Sequence, residues 1–146
     1  MVDVLTSEVI RRPRADVAAY AADPDTAPEW YVNIRSAVWR TPKPLAVGSE
    51  VDFVAHFLGR ELAYTYRVEE FVPGELLVMA TAQGPFPMRT TYTWMDDDEG
   101  GTVMTLRNAG EPSGFAAVAA PFMSFMMRRA NAKDLARLKE ILEGRG

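Results

Sequence analysis

The chain has 146 residues, a net charge of −4 and a pI near 5.0, and 48% of its residues are hydrophobic, which points to one domain over residues 1–146 with a sizeable core. It has no basic excess of the kind that neutralises a phosphate backbone, so nucleic acid is not an expected partner. Cysteine is absent, which excludes disulfides, a thiolate nucleophile and a Cys-based zinc site.

The N-terminus lacks the basic-then-apolar pattern of a signal peptide, so the expected location is cytoplasmic. Val2–Ile10 reads as a strand that Pro13 ends. Arg14–Ala22 is rich in helix formers, and Asp23-Pro24 breaks it. A second helical turn over residues 26–31 carries Trp30 and Tyr31. Residues 37–40 form a short strand, followed by a rigid loop with Pro42 and Pro44.

From here the period becomes two. In residues 50–58, Val51, Phe53, Ala55 and Phe57 share a face. After the Gly59-Arg60 turn, Leu62, Tyr64, Tyr66 and Val68 share a face opposite Thr65, Arg67 and Glu69. Pro73-Gly74 turns the chain into a strand over 76–82, and Gly84-Pro85 turns it again. Phe86, Met88, Thr90, Tyr92 and Trp94 then share a face opposite Arg89, Thr91 and Thr93. An acidic turn over 96–101 leads to a last strand over 102–108, with Met104 and Leu106 opposite Val103, Thr105 and Arg107.

Residues 113–143 form the one long helical pattern. Ser113 is a candidate N-cap, residues 115–120 a short first helix, and the main helix starts near Pro121 and stops at Gly144. Phe122, Phe125, Met126, Ala132, Leu135, Leu138 and Leu142 are expected on one buried face, with Arg128, Arg129, Lys133, Asp134, Arg137, Lys139 and Glu140 filling the rest. The apolar half, 114–127, is too short for the roughly 20 residues that span a bilayer. A core helix under a sheet is the expectation, and the run of Met123, Met126 and Met127 is adaptable packing that suits a core or the lid of an apolar pocket.

Consecutive strands with short turns form an antiparallel meander, and helices gathered on one side of it make an α+β fold. About seven strands, two short helices after the first, and a long closing helix are expected. Landmarks spread along the chain carry a resemblance: residues 10–13, Val17 to Tyr20 leading into Asp23-Pro24, Trp30, Val47-Gly48, Gly59-Arg60, Tyr66-Arg67-Val68, Pro73-Gly74, Gly101-Thr102, and Asn131, Leu135, Leu138-Lys139 and Leu142-Glu143. In these the chain resembles the START-like (SRPBCC) helix-grip superfamily, which includes the polyketide cyclase/dehydrase-like families, steroidogenic-regulator-related lipid carriers and the birch-pollen-allergen group. The resemblance implies a curved sheet wrapped on the C-terminal helix. It also implies a cavity between them for a small hydrophobic ligand of lipid, polyketide, sterol or quinone class. It brings no catalytic signature.

His56 is the single histidine and lies opposite Val51, Phe53 and Ala55, so it reads as a surface or half-buried residue, not a base. Asp96, Asp97, Asp98 and Glu99 lack the ligand spacing of a calcium loop and read as a solvated turn, and no metal or cofactor is expected. Arg67, Arg89 and Arg107 are read as outward cross-strand pairs; a one-residue shift of register turns them inward onto an acidic head group. The expected ligand-binding residues are Trp30, Phe53, Phe57, Tyr64, Tyr66, Met88, Thr90, Tyr92, Phe122 and Met126. Tyr64, Tyr66, Thr90 and Thr102 place hydroxyls on the apolar faces, which hold no carboxylate or histidine in this reading. Three functions stay open: binding of a small hydrophobic molecule as a monomer or homodimer, a polyketide cyclase, aromatase or dehydratase activity, and a protein-interaction domain with a collapsed cavity.

Overall fold

The computed structural model describes residues 2–57, 59–84, 87–110 and 120–144. The Ser113 cap, residues 115–119 of the expected short helix, the turn at Pro85, and Phe86 lie outside these residues, as does the side chain of Phe57, while Ala120 opens the long helix. In chain order come β1 (Val2–Ile10), α1 (Arg14–Ala22), a 3-10 turn (Pro24–Thr26), α2 (Ala27–Trp30), β2 (Ile34–Trp39), β3 (Glu50–Phe57), β4 (Arg60–Val72), β5 (Leu76–Gln83), β6 (Met88–Asp96), β7 (Thr102–Gly110) and α3 (Ala120–Gly144).

The sheet has seven strands in the order β1-β7-β6-β5-β4-β3-β2, and every neighbouring pair is antiparallel. β2 to β7 form the meander that the turns imply. β1 crosses to the far edge and pairs with β7, from Val2↔Gly110 to Ile10↔Thr102. The connection from β1 to β2 therefore carries α1 and α2 across one face of the sheet. This is the helix-grip architecture. Among the described residues no helix is long and apolar enough to cross a membrane.

Curvature comes from bulges. The register of β4 against β5 shifts between Thr65 and Tyr66 and again between Val68 and Glu70, and β2 shifts against β3 between Ile34 and Ser36. An extra residue bends the strand and strengthens its twist. In β4 the second bulge also changes parity: Tyr66 and Val68 face the core, and after it Phe71 packs inward while Glu70 stays exposed. β2 begins three residues earlier than its sequence suggests, at Ile34, and β7 runs on to Gly110.

The core joins Ile10, Val17, Trp30, Val51, Phe53, Tyr66, Val68, Leu77, Tyr92, Trp94, Met104 and Leu106 to Leu135, Leu138 and Leu142 of α3. Burying each of the three leucines contributes about 1.5–3 kcal/mol. Val2 and Val4 of β1 receive Met123 and Met127. The C-terminal end of α3 is tied to β1 and the residues after it: Arg12 Nη1 donates to Leu142 O (2.7 Å) and Lys139 Nζ to Val9 O (2.6 Å). A cation at that end also suits the helix dipole.

The buried face of α3 departs from expectation. Phe122 and Phe125 are 58% and 60% exposed, and Ala132 is exposed. The residues turned inward are Asn131, Asp134, Leu135, Leu138 and Leu142. Helical phase is the reason. At about 100° per residue, Phe122 stands roughly 140° and Phe125 roughly 80° from Leu135, whereas Met127, Asn131, Leu138 and Leu142 fall on one side at spacings of three and four.

The outer face of the sheet is charged. Arg67 pairs with Glu50 (2.6 Å), Arg89 with Glu69 (2.7 Å) and Arg107 with Asp3 (2.5 Å), so the arginines point outward; exposed pairs of this kind contribute little. His56 is exposed. The acidic turn is more organised than a free solvated loop: Asp97 Oδ1 accepts the Glu99 and Gly101 N–H groups, and Arg11 and Arg14 bind Glu99 and Asp96. A Cβ at Gly101 would lie 2.8 Å from Ile10 O, so only glycine lets this turn meet the end of β1.

Candidate functional site

The concave face of the sheet is lined by aromatic rings set two residues apart. Phe53 and Tyr64 are cross-strand partners with ring centroids 5.7 Å apart, and Tyr64 meets Tyr66 edge-on at 5.0 Å. On β6, Tyr92 and Trp94 stand 5.9 Å apart. Trp30 closes the group from α2, 4.1 Å from the Tyr31 ring and 5.8 Å from Tyr92.

Two hydrogen-bonded sets sit among these rings. Thr90 Oγ1 donates to Asn108 Oδ1 (2.5 Å), and Tyr66 OH lies 2.6 Å from the same Oγ1. A threonine has one hydroxyl hydrogen, so Tyr66 donates to Thr90 and the chain runs Tyr66 to Thr90 to Asn108. Burial pushes the Tyr66 hydroxyl up to about 12. In the second set Tyr31 OH and Tyr92 OH are 2.6 Å apart. Burial raises both of these hydroxyls and that of Tyr64, so all three stay protonated donors across the physiological range.

Asp134 of α3 faces these tyrosines, and its charge opposes the ionisation of Tyr31, Tyr64 and Tyr92. Its side chain is buried, and Oδ1 accepts the Val32 N–H (2.8 Å) at the junction of α2 and β2. Burial pushes the carboxyl up to about 7, with the Val32 bond pulling the other way. Asn131, one turn earlier on the same face, is buried with Nδ2 lacking a partner among the described residues, and so are Trp30 Nε1 and Trp94 Nε1. Arg137, one turn later, donates through Nε to Glu29 O, so α3 holds both ends of the α2–β2 junction.

The structure thus brings Trp30, Phe53, Tyr64, Tyr66, Thr90 and Tyr92 to one interior, with Phe53, Tyr66, Thr90 and Tyr92 buried and Tyr64 and Met88 half-buried. Met126 is half-buried on α3, and Phe122 is turned away. Thr102 is buried but spends its hydroxyl on Arg12 O. Asp134, Asn131 and Tyr31 are the residues that sequence reasoning missed. The signal was present: 127, 131, 134, 138 and 142 continue a stripe with steps of three and four, and two of its members are polar.

A separate open groove of about 620 Å³ lies outside this interior, between α1 and the β2–β3 connection, lined by Ala15, Ala18, Ala22, Trp39, Leu45 and Phe71 among others. Its polar residues are already engaged. Asp25 binds Lys43 Nζ (2.5 Å) and Trp39 Nε1 (3.0 Å), so the groove offers a ligand little beyond shape. No group of three His, Asp or Glu side chains able to hold a metal ion occurs among the described residues.

Comparison with known proteins agrees with this architecture. A search of the curated proteins finds no match. Among solved structures, a protein from Thermus thermophilus superposes with a TM-score of 0.82 at 16% identity, covering 94% of each chain. The Zhui aromatase/cyclase from a Streptomyces species superposes at 0.79 and 14% identity, over 98% of this chain and 94% of the other. A START superfamily protein from Mycobacterium smegmatis superposes at 0.71 and 14% identity, over 98% and 95%. At these identities the likeness is one of fold. The model of the family described as polyketide cyclase/dehydrase and lipid transport matches residues 1–143, and the chain belongs to that family.

Proposed function

We propose that the chain binds a small, largely apolar molecule between the concave face of the sheet and α3. The observation that carries this reading is a set of polar groups inside an apolar interior: the Asp134 carboxyl, the Asn131 Nδ2 without a partner among the described residues, and the Tyr31–Tyr92 pair. A core gains nothing from such groups, because a buried polar atom without a partner costs about 1–3 kcal/mol. A ligand site uses a few of them to orient its guest. The test is native mass spectrometry of the protein as purified, followed by denaturation and extraction. A co-purifying apolar molecule supports the reading. A bare mass, with no thermal shift against fatty acids, sterols, quinones and aromatic polyketides, overturns it in favour of an interaction domain.

A second reading is an enzyme of cyclase, aromatase or dehydratase type, and Asp134 is what favours it. A carboxyl titrating near neutrality can take and return a proton at working pH, and tyrosine hydroxyls beside it can hold a carbonyl oxygen as charge develops. Cyclisation of a poly-carbonyl substrate by the protein, lost in Asp134→Asn while ligand binding persists, supports this reading.

A further inference from the structure

Asp134 is 2% exposed and accepts one hydrogen bond among the described residues, from Val32 N–H. An ionised carboxylate has about four acceptor positions, so most of its capacity is unused. No Lys or Arg pairs with it among the described residues: Lys133 and Arg137 on the same helix are exposed, and Arg137 is bound to Glu29 O. From the α2–β2 junction, β4 and β6 the titratable groups that face it are Tyr31, Tyr64 and Tyr92, all neutral. Of the other elements against α3, β1 has Asp3 turned outward onto Arg107 and a half-buried Glu8 whose Oε1 accepts the Val9 N–H, and α2 has Glu29 bonded by Tyr20 OH. Tyr31, Tyr64 and Tyr92 lie near enough to feel the charge of the carboxyl, and the Trp30 ring lies against two of them, Tyr31 and Tyr92. Ring faces attract cations, and a buried carboxylate without a counter-charge is costly.

We infer that this interior is built for an apolar ligand bearing a protonated amine, with the ammonium on Asp134 and among the faces of the Tyr31, Tyr64 and Tyr92 rings. The inference rests on the proposed ligand-binding reading and names the ligand class. An amine supplies the missing charge and the missing donors in one group. A neutral ligand of the same shape leaves Asp134 to bury its charge alone or to take up a proton. A carboxylate ligand places two like charges together.

The experiment compares 1-naphthylmethylamine, 1-naphthylmethanol and 1-naphthoic acid by calorimetry on the full chain at pH 8 and pH 5.5, where the amine stays protonated. At pH 8 the amine binds at least about tenfold more tightly than the alcohol, and the acid binds weakest. The ratio of amine to alcohol shrinks at pH 5.5, where Asp134 is protonated. In Asp134→Asn the ratio of amine to alcohol falls to near unity. Alcohol or acid binding to the parent as tightly as the amine overturns this inference and leaves the ligand-binding reading standing. Failure of all three probes to bind overturns both. The parent chain alone decides between these outcomes, whether or not the variant folds.

Discussion

Replacing Asp134 by Asn should flatten the stability of this protein between pH 5 and pH 8. In the fold the carboxyl titrates at about 7, against 3.8 for an unperturbed aspartate. Between those values the folded chain holds a proton that the unfolded chain has released. Stability therefore falls as pH rises through the window, and levels off once both states are ionised. The full difference corresponds to at most roughly 4 kcal/mol, of which about 2–3 kcal/mol falls between pH 5 and pH 8. Asn keeps an oxygen to accept the Val32 N–H and has no charge to bury. Every other titrating group is common to both chains. Urea denaturation at a series of pH values should show the parent losing about 2–3 kcal/mol more than the variant between pH 5 and pH 8. Parallel pH profiles, or a variant that loses more, would refute the placement of a lone carboxyl in the interior.

The helix phase makes a paired prediction: Leu135→Ala should cost about 2–5 kcal/mol, and Phe122→Ala less than about 0.5 kcal/mol, in the same denaturation assay. Equal costs would mean that α3 is rotated from its described orientation. The two inward tyrosines of β4 should separate as well. Tyr66→Phe leaves the Thr90 hydroxyl without its donor and should cost about 0.5–1.5 kcal/mol. Tyr64 OH makes no hydrogen bond among the described residues, so Tyr64→Phe should change stability little and weaken a bound ligand, as calorimetry with any co-purified molecule would show.

The sheet was legible because its signal is a strict alternation. Val51, Phe53 and Ala55, then Tyr64, Tyr66 and Val68, then Thr90, Tyr92 and Trp94 turn inward as their period of two requires. The same alternation sends His56, Arg67, Arg89 and Arg107 outward. The bulges in β2 and β4 were not legible, since one extra residue leaves no mark in composition; Phe71 reaches the core only through one of them. The candidate site was read in part. Its aromatic wall follows from the strands, but its charged member does not. Asp134 is hydrophilic, and hydropathy assigns such a residue to solvent. Only the phase set by Leu135, Leu138 and Leu142 turns it inward, and the large Phe122 and Phe125 drew the reading of that phase off by most of a half-turn. Tyr31 is expected at the end of the second helical turn, but α2 stops at Trp30 and Tyr31 stands at the junction that α3 pins in place.

The most direct test of the account centred on Asp134 is a titration of its carboxyl carbon by NMR, in the free protein and with a saturating apolar amine. The account predicts a midpoint near 7 in the free protein, moved down by about one pH unit or more once the amine is bound. A midpoint in the ordinary carboxylate range that the ligand leaves in place would contradict it.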